Sequence, residues 1–295
     1  MTQTALILGA SGKIGRHFTA ALRTQGWQTR AYSRGTDMNA AAQGCALIVN
    51  GLNPPGYHDW DRLLPAITAQ VIGAARASGA TILFPGNVYV YGDQPGPWSE
   101  TTPHRPCSRK GRLRATAEAQ YRAATDQGVR VIILRAGDFL DDAPGDSALD
   151  VIYLRSLSKG AITTPGDPAV RRAHAYLPDL ARAGVALAML GDQLPAFADI
   201  PFAGNTFSTQ HLKAEVERLQ GRSLKLAVFP WLFMRLAGPV WELARELQEM
   251  RYLFNLEHRL SDARLQALLP GFQVTPLPEI LRRALAQRDL RRTAA

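Results

Sequence analysis

The chain has 295 residues, 46% hydrophobic and 20% charged, a balance typical of a globular protein rather than a disordered or fibrous one. Its 34 lysines and arginines outnumber its 25 acidic residues and give a net charge of +9. Arginines cluster within 105–114 and within 282–292, but no helix-turn-helix, zinc-finger or RNA-binding aromatic motif accompanies either cluster. The charge therefore does not indicate a nucleic-acid partner.

No cleavable apolar segment follows a basic stretch at the start of the sequence, so we expect a cytoplasmic location. The apolar stretch Leu226–Val240 is interrupted by Arg235 and is too short and too charged to span a bilayer, so we expect no membrane partner. The two cysteines, Cys45 and Cys107, lack metal-ligand spacing; we expect free thiols and no metal site.

Apolar runs alternate with helical patterns over residues 1–140, which predicts βαβ units around a parallel sheet. The predicted strands are Thr4–Leu8, Gln28–Ser33, Ala46–Asn50, Thr81–Phe84 and Val129–Leu134. The predicted helices are Ile14–Thr24, Trp60–Ser78 and Arg112–Asp126, closed by Gly26, Gly79 and Gly128. This order is typical of an α/β fold with a Rossmann-type, doubly wound parallel sheet.

Residues 141–295 predict a smaller, mainly helical lobe that binds the substrate and returns some elements to the sheet. Helical patterns occupy Val151–Ser158, Pro178–Leu190, Phe229–Leu253, Leu260–Leu269 and Leu277–Ala286, and Thr163–Val170 is predicted to be a loop. Asp179 stands where it could cap the first turn of its helix.

A glycine loop separates the first predicted strand from the first helix. Gly9, Gly12 and Gly15 have the spacing G-x-x-G-x-x-G within the βαβ pattern. Backbone amides at a helix N-terminus can hold a pyrophosphate, and glycines let it approach closely. The loop therefore predicts a nicotinamide dinucleotide site, against the alternative of a tight turn without a ligand. Its predicted contacts are Gly9, Ala10, Ser11, Gly12, Lys13, Ile14 and Gly15.

The end of the second predicted strand indicates which dinucleotide binds. NAD-binding proteins usually place an acidic residue there for the ribose hydroxyls. This chain has Ser33 and Arg34, and a guanidinium suits a 2′-phosphate, so we expect NADP(H) rather than NAD. The predicted cofactor-binding residues also include Asn50, Gly51 and Gly86.

Further motifs resemble the extended and atypical short-chain dehydrogenase/reductase family, which includes NAD(P)-dependent epimerases and dehydratases. Besides the glycine loop, these are Asn87–Gly92, Glu100–Pro103, Leu134–Asp138 and Tyr176–Ala181. The family usually places a helix and a strand where this chain has only about a dozen residues, between Arg34 and Ala46, so one strand is expected to be reduced or missing. The resemblance also suggests a homodimer through two helices of the Rossmann domain.

The catalytic triad of the family is replaced in this chain. Where the family has Ser or Thr followed by Tyr-x-x-x-Lys, this chain has Asn87, then Lys110 and Arg114. Asn87 could bind a carbonyl oxygen, Arg114 could hold ribose or phosphate, and Lys110 could act as an acid if burial and neighbouring arginines favoured its neutral form. Tyr91 is an alternative phenol. The competing interpretations are exposed basic side chains for Lys110 and Arg114, and packing for Tyr91.

Two functions follow from this pattern. The first is an NAD(P)-dependent oxidoreductase or epimerase-like enzyme that acts on a small molecule without the usual Tyr-x-x-x-Lys pair, because the nicotinamide carries the hydride chemistry. The second is a catalytically silent protein that senses NADP(H) or regulates a partner. The cofactor loop with a full second lobe favours the enzyme, and the lost triad favours the sensor.

The aromatic side chains of Phe229–Phe233 and Trp241 could wall an apolar substrate pocket. The alternatives are the core of the smaller lobe or a dimer face. His174 precedes the Asp179 helix in a segment that the family places near the substrate, although a lone histidine is more often structural.

Overall fold

The computed structural model describes residues 2–54, 56, 58–145 and 147–293. Its strands are β1 (Thr4–Leu8), β2 (Gln28–Ala31), β3 (Leu47–Asn50), β4 (Thr81–Asn87), β5 (Val131–Ala136), β6 (Asp138–Leu140), β7 (Ala161–Thr164), β8 (Arg172–Tyr176), β9 (Phe197–Pro201), β10 (Asn205–Phe207) and β11 (Lys225–Val228). Its helices are α1 (Lys13–Thr24), α2 (Met38–Ala42), α3 (Trp60–Ser78), α4 (Arg109–Ala124), α5 (Leu177–Met189), α6 (Thr209–Gln220), α7 (Trp231–Ala237), α8 (Glu242–Glu249), α9 (Ala263–Leu268) and α10 (Leu277–Thr293).

Six parallel strands form the central sheet in the order β2-β1-β3-β4-β5-β9. Successive side chains of β1 point to opposite faces, as the pleat of a strand requires. Ala5 and Ile7 pack with α1 and α5, whereas Leu6 and Leu8 pack with α2, α3 and α4. Helices cover both faces, which explains why β1 is almost continuously apolar. The predicted α/β fold is confirmed.

The predicted elements of the first half agree closely with the structure. All five predicted strands and three helices are present, with ends shifted by three residues or fewer. Gly26, Gly79 and Gly128 have φ values of 78°, 72° and 82°, the left-handed conformation that ends a helix without a steric penalty. Between β2 and β3 the chain forms only the short helix α2, and β2 lies at the edge of the sheet. This agrees with the expected loss of a strand.

The second half is less helical than expected. It contains a three-stranded sheet, β10-β8-β6, and a two-stranded sheet, β11-β7. The predicted helix Val151–Ser158 is wrong: a π-helical turn covers Leu149–Tyr153 and a 3₁₀ turn covers Leu157–Lys159. The predicted loop Thr163–Val170 is wrong at its start, because β7 continues to Thr164. β9 joins the central sheet, as expected of a returning element, while the domain boundary at residue 140 stays a prediction.

Asp179 does not cap α5, and this expectation is corrected. Its carboxylate accepts hydrogen bonds from the backbone N of Thr275 (2.5 Å), Thr275 Oγ1 (3.0 Å) and Arg182 Nη2 (2.7 Å). Asp179 is the third residue of a helix that begins at Leu177, so it follows the N-cap position by three residues. The side chain instead ties α5 to the segment that leads into α10.

Arg135 of β5 joins three parts of the Rossmann domain through a buried ion-pair network. Its guanidinium donates to Glu118 of α4 (2.7 Å) and to Asp199 of β9 (2.5 Å), and to the backbone oxygen of Asn87 at the end of β4 (2.7 Å). Arg135 is fully buried and Glu118 nearly so. Charges in such a site must be paired, because unpaired ones lose hydration without compensation.

We expect Arg135→Met to lower the free energy of unfolding by about 3–5 kcal/mol, because two carboxylates would remain buried without a cation. Chemical denaturation followed by circular dichroism measures the change. Arg76→Met, at an exposed site on α3, is the matched control and should change the value by about 0.5 kcal/mol or less. A loss at residue 135 no larger than that of the control would contradict this account.

Candidate active site

The glycine loop connects β1 to α1 by a tightly folded backbone. Gly9 has φ = 74°, and its carbonyl oxygen accepts a hydrogen bond from the backbone N of Gly12 (2.9 Å). A Cβ atom on residue 15 would overlap the Gly9 oxygen and stand 2.6 Å from the Cα of Ala10. The first turn of α1 can therefore pack on the loop only if residue 15 is glycine.

This loop fits a dinucleotide pyrophosphate. Ser11 and Gly12 are exposed, and Ala10, Lys13 and Ile14 are partly exposed, at the N-terminus of a twelve-residue helix. The first backbone N–H groups of such a helix lack partners within it and favour an anion. Of the seven predicted loop contacts, only Gly15 is buried, and its role is to keep the loop close to α1.

The end of β3 lies against the glycine loop, and the end of β4 packs closely on β5. Gly51 donates its backbone N–H to the oxygen of Leu8 (3.0 Å), and a Cβ atom there would lie 2.8 Å from that oxygen. Asn50 is buried, with its Nδ2 donating to Tyr121 Oη (3.0 Å). A Cβ atom at Gly86 would stand 2.6 Å from a methyl group of Ile133. These three residues shape the edge of the sheet beside the loop; contact with a cofactor stays a prediction.

Ser33 and Arg34 are exposed just beyond β2, which pairs with β1. Their position at the carboxyl end of the strand next to the glycine loop is where a dinucleotide ribose binds in folds of this type. The nearby Asp37 accepts a hydrogen bond from the backbone N of Asn39 (2.9 Å) and caps α2.

A loop beyond β6 is tied to α1 by a carboxylate that sequence reasoning missed. Asp141 is almost fully buried and contacts Arg16 Nη2 (2.5 Å) and His17 Nε2 (3.0 Å). Burial alone would raise the pKa of this carboxyl, but the hydrogen bonds with His17 and Arg16 outweigh it and lower the pKa. Asp141 therefore favours its charged form and fixes the loop against α1.

Asn87 and Tyr91 are both engaged in local structure. The Oδ1 of Asn87 accepts from the backbone N of Tyr89 (3.0 Å) and so holds the turn after β4. The ring of Tyr91 is fully buried against Trp98 (4.8 Å between centroids), and its hydroxyl donates to the backbone oxygen of Ser99 (3.1 Å). Burial raises the pKa of this phenol. The packing interpretation of Tyr91 agrees with its surroundings better than a catalytic one.

Lys110 and Arg114 lie on the buried face of α4, so the expectation of exposed basic side chains is wrong for both. Ser108 caps this helix through its Oγ, which accepts from the backbone N of Gly111 (3.0 Å). The guanidinium of Arg114 donates to Asn53 Oδ1 (2.7 Å) and lies over the ring of Trp60, 4.8 Å from its centroid.

The ammonium of Lys110 meets two glutamates of α8. It donates to the Glu246 carboxylate, to the Glu246 backbone oxygen (3.1 Å) and to Glu249 Oε2 (2.6 Å). Burial alone would raise the pKa of Glu246, but the hydrogen bond from Lys110 and its charge outweigh it and lower the pKa. The hypothesis of a neutral Lys110 considered only burial and the neighbouring arginines, whereas the structure also places two carboxylates in contact with its side-chain nitrogen.

Sequence reasoning missed Glu246 and Glu249. They are spaced i, i+3, which places them on one face of a helix, but nothing in the sequence pairs that face with residue 110. A cavity of about 570 Å³ opens beside this pair. It lies between the N-terminal ends of α3 and α4 and the side of α8, and Asp61, Arg109 and Glu242 are among its walls.

His174 is buried in the smaller lobe rather than facing this cavity. Its Nε2 lies 2.7 Å from Tyr153 Oη and its ring stacks on Phe207 at 3.9 Å. Burial lowers the pKa of His174, so the neutral ring is favoured. These contacts agree with a structural role.

His104, Glu118 and Asp199 lie close enough together to share a metal ion. Arg135 already pairs with both carboxylates, so we assign no metal to them. In the described part of the chain, no helix combines the length and the apolar character needed to cross a membrane.

Comparisons with known proteins agree with this fold. Residues 65–197 match the model of the NAD dependent epimerase/dehydratase family, which confirms the resemblance indicated by the motifs. No curated protein sequence matches the chain significantly.

Three solved structures illustrate the likeness. UDP-glucuronic acid 4-epimerase from Bacillus cereus in complex with NAD has 16% identity and a TM-score of 0.77, with 98% of this chain and 99% of that chain covered. UDP-glucose 4-epimerase from Brucella ovis in complex with NAD has 17% identity, a TM-score of 0.71, and coverage of 97% and 98%. RMD from Pseudomonas aeruginosa complexed with NADPH has 19% identity, a TM-score of 0.71, and coverage of 97% and 99%. At these identities the likeness establishes the fold.

We expect Gly15→Ala to weaken NADPH binding roughly tenfold to hundredfold, because forcing a methyl group into a packed backbone costs about 1–3 kcal/mol. Isothermal titration measures the affinity, and a thermal melt confirms that the variant folds. Gly145→Ala is the matched control, since an added Cβ there meets no atom within 4 Å. If Gly15→Ala binds NADPH as tightly as the wild type does, the loop is not part of the binding site.

Proposed function

We propose that this chain, a relative of the NAD dependent epimerase/dehydratase family, is an NAD(P)-dependent oxidoreductase or epimerase-like enzyme acting on a small molecule. The observation that carries the proposal is the loop from Gly9 to Gly15, whose backbone packing tolerates only glycine at residue 15. A turn without a ligand would not need exposed, glycine-rich backbone at the start of a long helix. The cavity between α3, α4 and α8 is the proposed substrate entrance, since pockets often form where two lobes meet.

The loop and the first turn of α1 would hold the pyrophosphate, with Lys13 adding positive charge nearby. When bound, the nicotinamide would supply hydride transfer, and the protein would position it. We favour NADP(H) over NAD because Ser33 and Arg34 are exposed beyond β2, where a 2′-phosphate would need a cation. Both cofactors occur among the related structures described above.

We expect Arg34→Ala to weaken NADPH binding roughly tenfold to hundredfold, because a hydrogen bond to a charged group contributes about 1.5–3 kcal/mol. NADH binding should stay the same, since NADH has no 2′-phosphate. Titration of both cofactors against the wild type and against Arg76→Ala, another exposed arginine, measures the difference. An equal loss of affinity for NADPH and NADH would contradict the role assigned to Arg34.

Lys110 occupies the place of the family's tyrosine, and we propose it as the proton donor to a substrate oxygen. An ammonium has three N–H groups, and here the acceptors are two carboxylates and one backbone oxygen. A substrate oxygen could accept from Lys110 only after one of these acceptors moves. Arg114 stays charged at ordinary pH, so its proposed role is to hold the ribose or phosphate. Asn87 would bind a substrate carbonyl.

The engagement of Lys110 also favours a second candidate, a catalytically silent NADP(H)-binding protein. In that case the pair with Glu246 and Glu249 would be a structural clamp between α4 and α8. The two candidates differ in whether Lys110 affects chemistry or only stability.

For the enzyme, Lys110→Met should lower turnover about a hundredfold to ten-thousandfold, the usual contribution of a positioned acid. A panel of sugar nucleotides is screened by NADPH absorbance for a net oxidation or reduction, and by chromatography of the product for an epimerisation, which regenerates the cofactor; the same assay then measures the loss. Glu246→Gln should retain turnover but change its pH profile, because it removes one carboxylate from the ammonium. Lys159→Met, on an exposed turn, is the control.

Turnover that Lys110→Met leaves unchanged would remove the acid role. Three results together would favour the silent protein. The wild type would bind NADPH, it would turn over none of the substrates tested, and Lys110→Met would lower the melting temperature.

The homodimer through two Rossmann helices and the cytoplasmic location stay predictions.

A further inference from the structure

One continuous segment of the smaller lobe exposes most of the large apolar side chains on the surface. Of the ten exposed large hydrophobic side chains among the described residues, seven lie between residues 226 and 241. They are Leu226, Val228, Leu232, Phe233, Leu236, Val240 and Trp241. Scattered exposed apolar residues are ordinary, but a contiguous group marks an interaction surface. We call these seven side chains the apolar face.

The apolar face is the outer side of an element whose inner side is firmly packed. Trp231 and Met234 of α7 are buried against Phe229 and Ala244, and Trp231 Nε1 donates to the backbone oxygen of Pro165 (2.6 Å). Leu232, Leu236 and Val240 follow at four-residue spacing on the other side. Val240 is 92% exposed. The fold therefore holds α7 in place while presenting these side chains outward.

Two aromatic rings connect α7 with the start of α8. Phe233 and Trp241 lie edge to face, with 6.4 Å between their centroids, and both are exposed. Aromatic rings with one apolar and one wet side are enriched where a protein meets the headgroup region of a bilayer.

The charges around the apolar face are positive. Arg235 lies between Phe233 and Leu236 on α7, and Lys225 directly precedes Leu226; both are exposed, and neither has a carboxylate partner within the described residues. The acidic residues of the same segment are paired: Glu242 contacts His58 and Arg245, and Glu246 and Glu249 contact Lys110. The surface that complements this face must therefore be apolar and negatively charged.

We propose that the apolar face docks on the surface of an anionic phospholipid bilayer, which revises the expectation of no membrane partner, since that expectation considered only segments that cross a bilayer. Leucine, phenylalanine and tryptophan flanked by lysine and arginine are the composition of an interfacial helix, which lies on a membrane without crossing it. A second copy of the chain is a poorer match, because a two-fold contact through this face would oppose the unpaired cations of both copies. The net charge of +9 favours approach to an anionic surface.

The test is sedimentation of the full chain with vesicles made of equal parts phosphatidylglycerol and phosphatidylcholine. The expected result is binding to these vesicles, little binding to phosphatidylcholine alone, and weaker binding as salt is added. Arg235→Gln should lower binding about fivefold, the equivalent of about 1 kcal/mol per basic residue near the surface. Leu236→Asp should abolish detectable binding.

Matched controls distinguish this face from the general charge of the protein. Met189→Asp removes a similarly exposed apolar side chain on α5, and Arg76→Gln removes an exposed charge on α3; neither should change vesicle binding. Since Leu236 is exposed, its substitution should leave the circular dichroism melt unchanged.

Three results would overturn the proposal. The first is no binding to anionic vesicles, and the second is binding that Leu236→Asp and Met189→Asp reduce equally. The third is a wild-type dimer, measured by light scattering, that Leu236→Asp converts to a monomer, since the face would then be an interface between copies.

Discussion

The contact of Lys110 with Glu246 and Glu249 determines the arrangement of the smaller lobe against the Rossmann domain. An ammonium that is fully buried must be paired, so α8 has to lie against the first turn of α4. That placement forms one wall of the cavity. The same placement of α8 holds α7 with its apolar side outward. The side-chain amide of Gln248 on α8 donates to the backbone oxygen of Trp231 on α7 (2.9 Å). One ion-pair cluster therefore contributes to the shape of the candidate active site and to the orientation of the apolar face.

The sequence predicted the Rossmann half well because its signals are local. β1 and β5 are buried on both faces and contain the uninterrupted apolar runs Ala5–Leu8 and Val131–Leu134, and each helix between them ends close to a glycine with positive φ. The small sheets of the other lobe could not be predicted in this way. β6 and β10 have three residues each, too few to show alternation, and β8 is buried along its length only because both partners cover it.

The candidate site also has one part that the sequence predicts and one part that it does not. The glycine loop could be predicted because its function and its steric limits reside in consecutive backbone atoms. The surroundings of Lys110 could not be predicted, because Glu246 lies 136 residues away in the chain. The helical spacing of Glu246 and Glu249 does not indicate which residue they contact. The sequence shows that Lys110 replaces the family's tyrosine. It does not show that the N–H groups of Lys110 already have acceptors in the folded chain. For Tyr91 the sequence left catalysis and packing open, because a motif that places a phenol near a site does not show which way the ring packs.

The short second strand carries a consequence for solubility. β2 is the edge of the central sheet, a position where a strand from another molecule could add and begin aggregation. Gln28–Ala31 is only four residues long and largely exposed, with no apolar stripe to attract such a strand. The side chain of Arg30, on this edge strand, donates hydrogen bonds to the backbone oxygens of Ala41 (2.6 Å) and Gln43 (2.9 Å). A short edge strand with a charged side chain protects the folded chain against uncontrolled addition of strands from other molecules.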